Sequence, residues 1–287
     1  MKKYSLILVI TITFLSSCEK VIPVKLDSGT SQLTVDAFLD DKPGTQKVRL
    51  TMTGAYFDNV PNPAVTGATV KLSDNQGHTY SFVDNANSGD YSWTPTVGDT
   101  LFRLFNNYTL SVVYKGDEFQ ATSTAYPSPP IDSVTYTPLK NASGKSSTTG
   151  YSASFYARDI EGMANFYWIK SYKNGVFYSK PGQMNLSQDG AFSGETDGLT
   201  FIYPIRVAIV PDSLNINDSV TVNIYAINPE TYFFLNEVVE QTTNSGLFAT
   251  PPSNVSTNIK NVTSGSKTKP VGWFNIGAAS IGGVRVK

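Results

Sequence analysis

Between Leu33 and Ala121 apolar residues recur at every second position in short runs, and few folds accommodate that period. Leu33, Val35, Ala37 and Leu39 form the first run, and Val48, Leu50 and Met52 the second. Ala68, Val70 and Leu72 follow, then Tyr80 and Phe82, then Tyr91 and Trp93. Tyr108, Leu110, Val112 and Tyr114 make another set, and Phe119 and Ala121 the last. Each set lies on one face of a half-buried strand. Turn chemistry separates them: Asp40-Asp41-Lys42-Pro43-Gly44, Asp74-Asn75-Gln76-Gly77, Asn87-Ser88-Gly89-Asp90 and Lys115-Gly116-Asp117. About seven short strands at this spacing predict a two-sheet sandwich over residues 32–125. Composition agrees. Charged residues are only 16% and aromatics reach 12%, with 16 Tyr and 16 Phe, as in exported all-β chains.

Tyr126-Pro127-Ser128-Pro129-Pro130 is too rich in proline for a central strand, so residues 126–130 are expected to be a stiff linker. A second domain is expected over 131–287, with strands at 134–136, 151–157, 166–172, 176–178, 205–210, 220–226 and 274–278. Residues 141–150 and 179–198 read as long polar loops, which are more often functional or mobile than merely connective. One helix is predicted near 229–243. Asn228 stands as its cap, Pro229 in its first turn and Glu230 at its positive end, with Tyr232, Leu235, Val238 and Val239 as its apolar stripe. The fold class is therefore all-β, two tandem β-sandwich domains with one short helix in the second.

The N-terminus carries an address. Met1-Lys2-Lys3, an apolar run over 6–15, and Leu15-Ser16-Ser17 before Cys18 read as an export signal over residues 1–17. Leu15-Ser16-Ser17-Cys18 resembles the lipobox of bacterial lipoproteins. That resemblance implies cleavage before Cys18, acylation of Cys18 and a bilayer as its first partner. Residues 18–31 would then be a lipidated tether. Each buried acyl methylene contributes roughly 0.8 kcal/mol, so stable anchoring takes more than one chain. Cys18 is the only cysteine, which excludes an intramolecular disulfide. Glu19 directly after it resembles the acidic surface-export signal of Bacteroidota lipoproteins, implying the outer membrane and the cell surface.

Two further resemblances follow. Val65-Thr66-Gly67-Ala68-Thr69-Val70 with Gly89-Asp90-Tyr91 is similar to transthyretin-like or carboxypeptidase-regulatory-like sandwiches, a transthyretin-like/Ig-like first domain. Tyr232-Phe233-Phe234-Leu235, the run from Leu247 through Pro251-Pro252-Ser253-Asn254-Val255, Asn258-Ile259 and Gly272-Trp273-Phe274 resemble a Bacteroidota lipoprotein family, domain of unknown function 4249. The resemblance covers nearly the whole mature chain, with residues 263–269 as an insertion. It implies a TonB-dependent outer-membrane transporter as partner. It carries over no catalytic residue.

The residues themselves point away from catalysis. His78 is the only histidine and follows a hairpin turn, where it is expected to be solvated. With Cys18 acylated, no zinc site of His and Cys is expected, and no cofactor is implied. Asp84-Asn85-Ala86-Asn87-Ser88-Gly89-Asp90 places Ala86 where an EF-hand needs a ligand, so it reads as a turn. Glu161, Glu195 and Asp197 are the carboxylates a hydrolase reading would need. Tyr56-Phe57, followed by Pro61 and Pro63, is a candidate contact patch. Asp99-Thr100, Asp132-Ser133, Asp212-Ser213 and Asp218-Ser219 resemble short O-glycosylation acceptors, which makes Thr100, Ser133, Ser213 and Ser219 candidate sites. Net charge is −1, so no basic face for nucleic acid is implied. The leading expectation is a non-catalytic surface lipoprotein that assists a TonB-dependent transporter as ligand capture or lid. The alternatives are a structural or adhesive lipoprotein and, third, a carboxylate-dependent hydrolase.

Overall fold

The computed structural model describes residues 30–54, 60–96, 101–140, 146–188, 198–201, 205, 209–210, 213–244 and 253–287. The expected signal, Cys18 and most of the tether lie outside them. In chain order the strands are β1 (Leu33–Leu39), β2 (Gln46–Met52), β3 (Thr69–Asp74), β4 (Thr79–Phe82), β5 (Asp90–Trp93), β6 (Asn107–Tyr114), β7 (Asp117–Thr124) and β8 (Ile131–Lys140). Then come β9 (Ser146–Ala157), β10 (Phe166–Lys173), β11 (Val176–Phe177), β12 (Asn185–Gln188) and β13 (Ser219–Ala226). The helix α1 (Pro229–Thr243) follows, then β14 (Lys260–Asn261), β15 (Val271–Ile276) and β16 (Ala279–Arg285). The molecule is thus mostly β, with one α-helix and several antiparallel sheets among the described residues.

The alternating runs build the first sandwich. One sheet has the order β15-β1-β2-β5 and the other β14-β7-β6-β3-β4. Leu33, Val35, Ala37, Val48, Leu50, Val70, Leu72, Leu110 and Phe119 point between them, each no more than 3% exposed. Burying a side chain of this size contributes about 1.5–3 kcal/mol. The tyrosines that alternate with them stay inside because their hydroxyls find partners. Tyr91 donates to the Val65 carbonyl at 3.0 Å, and Tyr108 to the Leu101 carbonyl at 2.9 Å.

The expected division into 32–125 and 131–287 is corrected here. The first sandwich is completed by the far end of the chain. β15 lies parallel to β1, from Thr34 opposite Val271 to Leu39 opposite Ile276, and β14 pairs with β7. An uncovered β1 would leave a row of N–H and C=O groups without partners, and β15 supplies them. Residues 274–276 of the strand expected in the second domain thus end a strand of the first, and Ser31–Lys287 forms one compact unit. Residues 126–130 are not a free spacer either. Tyr126 bridges to Gly277, and Ser128 Oγ donates to the Ile224 carbonyl at 2.7 Å.

The second module is a sheet of order β11-β10-β13-β16, with β12 beside β11 on the same edge of β10. The β8–β9 hairpin covers one of its faces, and Val134, Phe155, Ile169, Val222 and Ile224 fill the space between. Parts of the expected loops are structured: β9 begins at Ser146, and a 3-10 turn over Pro181–Gln183 precedes β12. Residues 205, 209 and 210 of an expected strand belong to no strand. Against the module's other face, α1 packs Phe234 and Leu235, with Phe234 stacked on Trp273 of β15 at 4.3 Å.

The chain passes from β15 into β16 through Gly277 and Ala278, where three backbones converge. Gly277 N–H donates to the Leu39 carbonyl at 3.1 Å, and Ala226 N–H to the Ala278 carbonyl at 2.9 Å. A Cβ on Gly277 would run into the Ala226 carbonyl oxygen. Around this crossing sits a buried polar network. Asn275 Oδ1 accepts from Asn228 N–H at 3.0 Å, Asn228 Nδ2 at 3.0 Å and Thr231 Oγ1 at 2.8 Å. Asn275 Nδ2 donates to the Tyr225 hydroxyl at 3.0 Å, and that hydroxyl donates to the Leu39 carbonyl at 2.7 Å. Asn228 was expected to cap α1 with its side chain and does not; its amide instead reaches Ser123, Thr124 and Asn275.

Candidate functional site

β10, β13 and β16 place their alternate residues on two faces. Tyr167, Ile169, Val222 and Ile224 point to the second core, so Trp168, Lys170, Tyr172, Thr221, Asn223 and Tyr225 share the opposite face. The register sets their neighbours: Trp168 opposite Tyr225, Lys170 opposite Asn223, Tyr172 opposite Thr221. On the far side Asn223 faces Ile281, and Thr221 faces Gly283. On the near side Tyr172 faces Phe177. Toward Tyr225 this face is closed by the sandwich, whose β1 brings Phe38 to 5.5 Å from the Trp168 ring and 6.4 Å from the Tyr225 ring. Toward Ile281, 55% exposed, it is open to water.

Lys170 is the centre of this arrangement. Its Nζ lies 4.3 Å from the Trp168 ring centroid, 4.2 Å from Tyr225 and 5.9 Å from Phe38. Rings facing a partly desolvated ammonium attract it by about 0.5–2 kcal/mol. No hydrogen-bond acceptor among the described residues reaches this Nζ. Burial pulls its pKa down from 10.5 to about 8, opposed by Asp40 and Asp36 acting through space. Burial between the modules raises the Asp36 carboxyl, against the pull of Arg49 and Lys170. Asp36 is also exposed to solvent, which screens its interactions with both cations. Next to Lys170, Asn223 is 9% exposed and its Oδ1 has no hydrogen-bond partner. Buried polar atoms are rarely left so.

A cleft of about 800 Å³ lies beside the β1–β2 turn, lined by Asp40, Asp41, Gln46, Trp93, Phe102 and Leu104 among others. Its polar groups are already engaged. Asp40 accepts from Lys42 N–H at 2.9 Å, Gln46 accepts from Asp40 N–H at 3.0 Å, and Asp41 accepts from Ala279 N–H at 2.9 Å. The face around Lys170 offers groups that are still unmet, and it is therefore the stronger candidate. Its chemistry is recognition: an ammonium donor, an amide acceptor and several rings.

Of the residues singled out in the sequence, Cys18, Tyr56, Phe57, Thr100, Glu195 and Asp197 lie outside the described residues. Ser133 and Ser213 are exposed, while Ser219 is half-buried, its Oγ donating to Asn174 Oδ1 at 3.3 Å. Lys173 joins two of these positions, donating to the Ser213 carbonyl at 3.0 Å and pairing with Asp218 at 3.3 Å. Glu161 is exposed. His78 is 44% exposed and its Nδ1 lies 2.9 Å from Asp74, whose fully buried carboxylate also accepts from Gln76 N–H and His78 N–H and meets Arg103. Asp84 closes its own turn, accepting from Ser88 N–H at 3.0 Å and Gly89 N–H at 2.8 Å. Among the described residues no cluster of three His, Cys, Asp or Glu could hold a metal ion.

Sequence reading missed Lys170, Asn223 and the rings around them. The signal was present in Phe166-Tyr167-Trp168-Ile169-Lys170-Ser171-Tyr172, where aromatic residues occupy both faces of a strand that should have one polar side.

Comparison with known proteins adds the family. No curated protein matches the chain in sequence. Among solved structures, the FN1-FN3 domains of chicken CNTN1 match with a TM-score of 0.24 and 12% identity. That match covers 71% of this chain and 62% of the other. A family model described as a domain of unknown function, DUF4249, matches residues 19–280, and the protein belongs to that family.

Proposed function

We propose that the protein is a non-catalytic outer-membrane lipoprotein, held at the cell surface by acylated Cys18, that captures a ligand for a TonB-dependent transporter. The observation that carries this reading is the open face around Lys170. It sets a donor and an acceptor with no hydrogen-bond partners among half-buried rings, on strands braced by a second module. Ligand sites combine an apolar lining with a few placed polar groups, and this face has both. The anchor follows from Leu15-Ser16-Ser17-Cys18. Tethering to the membrane raises the effective concentration of any membrane partner, so the contact between the two proteins need not be tight.

The test is a pulldown from outer membranes with the full lipidated chain, beside a Cys18→Ala variant. A TonB-dependent transporter should co-purify with the parent. Fatty-acid analogue label should enter the parent and not the variant. Label in the variant would place the anchor elsewhere. Absence of any transporter would favour a structural or adhesive surface protein.

A further inference from the structure

We propose that the Lys170–Asn223 face binds a neutral carbohydrate ring, with Lys170 donating to one hydroxyl, Asn223 accepting from a neighbouring one, and Tyr172 beneath the ring's C–H face. This rests on the reading of the face as a ligand-capture surface and names the ligand class.

The argument starts from what each group lacks. Lys170 Nζ can only donate, and Asn223 Oδ1 can only accept. Lys170 and Asn223 sit directly opposite one another on adjacent strands, a spacing of roughly 5 Å between Cβ atoms. One ligand must therefore present an acceptor and a donor side by side. A hydroxyl is both, and a sugar carries hydroxyls on adjacent carbons. A carboxylate or phosphate can only accept, so it would serve Lys170 and leave the Asn223 oxygen unmet; an ammonium would do the reverse.

Charge points the same way. Asp40 and Asp36 already act on Lys170 from the sandwich wall, so an anion brought to its Nζ would also meet two carboxylates. The surroundings suit a ring with one apolar side. Tyr172 and Phe177 are half-buried with ring centroids 5.2 Å apart, and Ile281 is exposed beside Asn223. Gly283, exposed and without a side chain, leaves the floor next to Thr221 low. The Asn223 oxygen is itself out of contact with water, so a ring on that floor meets it only when the carboxamide turns outward on binding.

The experiment presents the full chain, purified in detergent, to an array of neutral, uronate-bearing and sulfated oligosaccharides and to a peptide array. Titration with the best ligand follows, read by tryptophan fluorescence and calorimetry. A neutral oligosaccharide should bind, and Lys170→Met and Asn223→Leu should each weaken it about tenfold, the loss of one hydrogen bond to a charged or buried group. Tyr172→Ala should weaken it as well without moving the melting temperature of the second core, which keeps the test open if Asn223→Leu misfolds. Preference for uronate-bearing or sulfated glycans or for peptides would overturn the neutral-sugar assignment and leave ligand capture standing. Equal binding by parent and variants would overturn the site. Binding of nothing on either array would overturn this proposal, while the transporter pulldown judges the membrane role separately.

Discussion

Tyr225→Phe removes one oxygen from the joint between the modules and leaves the ring in place. In the parent that hydroxyl donates to the Leu39 carbonyl at 2.7 Å and accepts from Asn275 Nδ2 at 3.0 Å, in a residue 1% exposed. The Leu39 carbonyl is not orphaned by the change, because Gly277 N–H still reaches it at 3.1 Å. One N–H of Asn275 loses its acceptor, while Nδ2 keeps the Ala226 carbonyl at 3.3 Å. One lost hydrogen bond and one unmet buried donor cost about 1–3 kcal/mol. For a unit of this size that lowers the melting temperature by about 2–4 °C for each kcal/mol. Asn275→Ala should cost more, about 3–5 kcal/mol, because it strips the shared acceptor of Asn228 N–H, Asn228 Nδ2 and Thr231 Oγ1 at once. Tyr151→Phe is the control. Its ring packs edge-on to Tyr136 at 5.4 Å and the residue is half-exposed, so the change should stay within about 0.5 kcal/mol. Urea unfolding followed by fluorescence and far-ultraviolet dichroism, with coincident transitions, gives the three values. The reasoning fails if Tyr225→Phe matches the control, or if Asn275→Ala costs no more than Tyr225→Phe.

Acid should weaken the fold through Asp90, whose carboxyl the side-chain hydrogen bond from Arg49 holds at about 2 against 3.8, with help from Lys47. A depressed carboxyl contributes stability above pH 3.8 that is lost as pH falls toward 2, so Asp90→Asn should flatten the melting temperature over that window. For Lys170 the sign is opposite. Its lowered amine makes the unfolded chain bind more protons between about pH 8 and 10.5, so stability should rise with pH there and Lys170→Met should remove the rise. Carbon NMR of reductively methylated protein should show a Lys170 signal, assigned by its loss in Lys170→Met, that titrates near 8; titration of that signal near 10.5 would contradict the cage. Gly277→Ala should destabilise by more than about 3 kcal/mol, since a Cβ meets the Ala226 carbonyl oxygen; a melting curve like the parent's would show that the crossing can open.

Periodicity alone determined which residues turn inward. Leu33, Val35, Ala37 and Leu39 are all buried, and Tyr108, Leu110 and Val112 of β6 are buried in alternation as read. Asn228-Pro229-Glu230 marked the start of α1, with Asn228 at the cap position, although its side chain bonds into the joint and not to the helix's own N–H groups. The family was legible because it resides in contiguous motifs, and residues 19–280 carry the family match. What tertiary structure decided is adjacency. A period of two says which residues share a face and nothing about which strand lies alongside. β1 therefore gave no sign that its parallel neighbour is β15, and the proline-rich 126–130 looked like a boundary that the returning chain then crosses. β16 was invisible for a related reason, since Gly282-Gly283 at its centre lacks the branched and aromatic side chains that mark strands, and packing and ladder hydrogen bonds supply what propensity does not. The candidate site is the extreme case. Lys170 and Asn223 are separated by a long stretch of chain, and each alone reads as an ordinary polar residue on an outward face. Only the β10–β13 register sets them side by side, and the approach of Phe38 on β1, 5.9 Å from the Lys170 Nζ, helps to desolvate the ammonium.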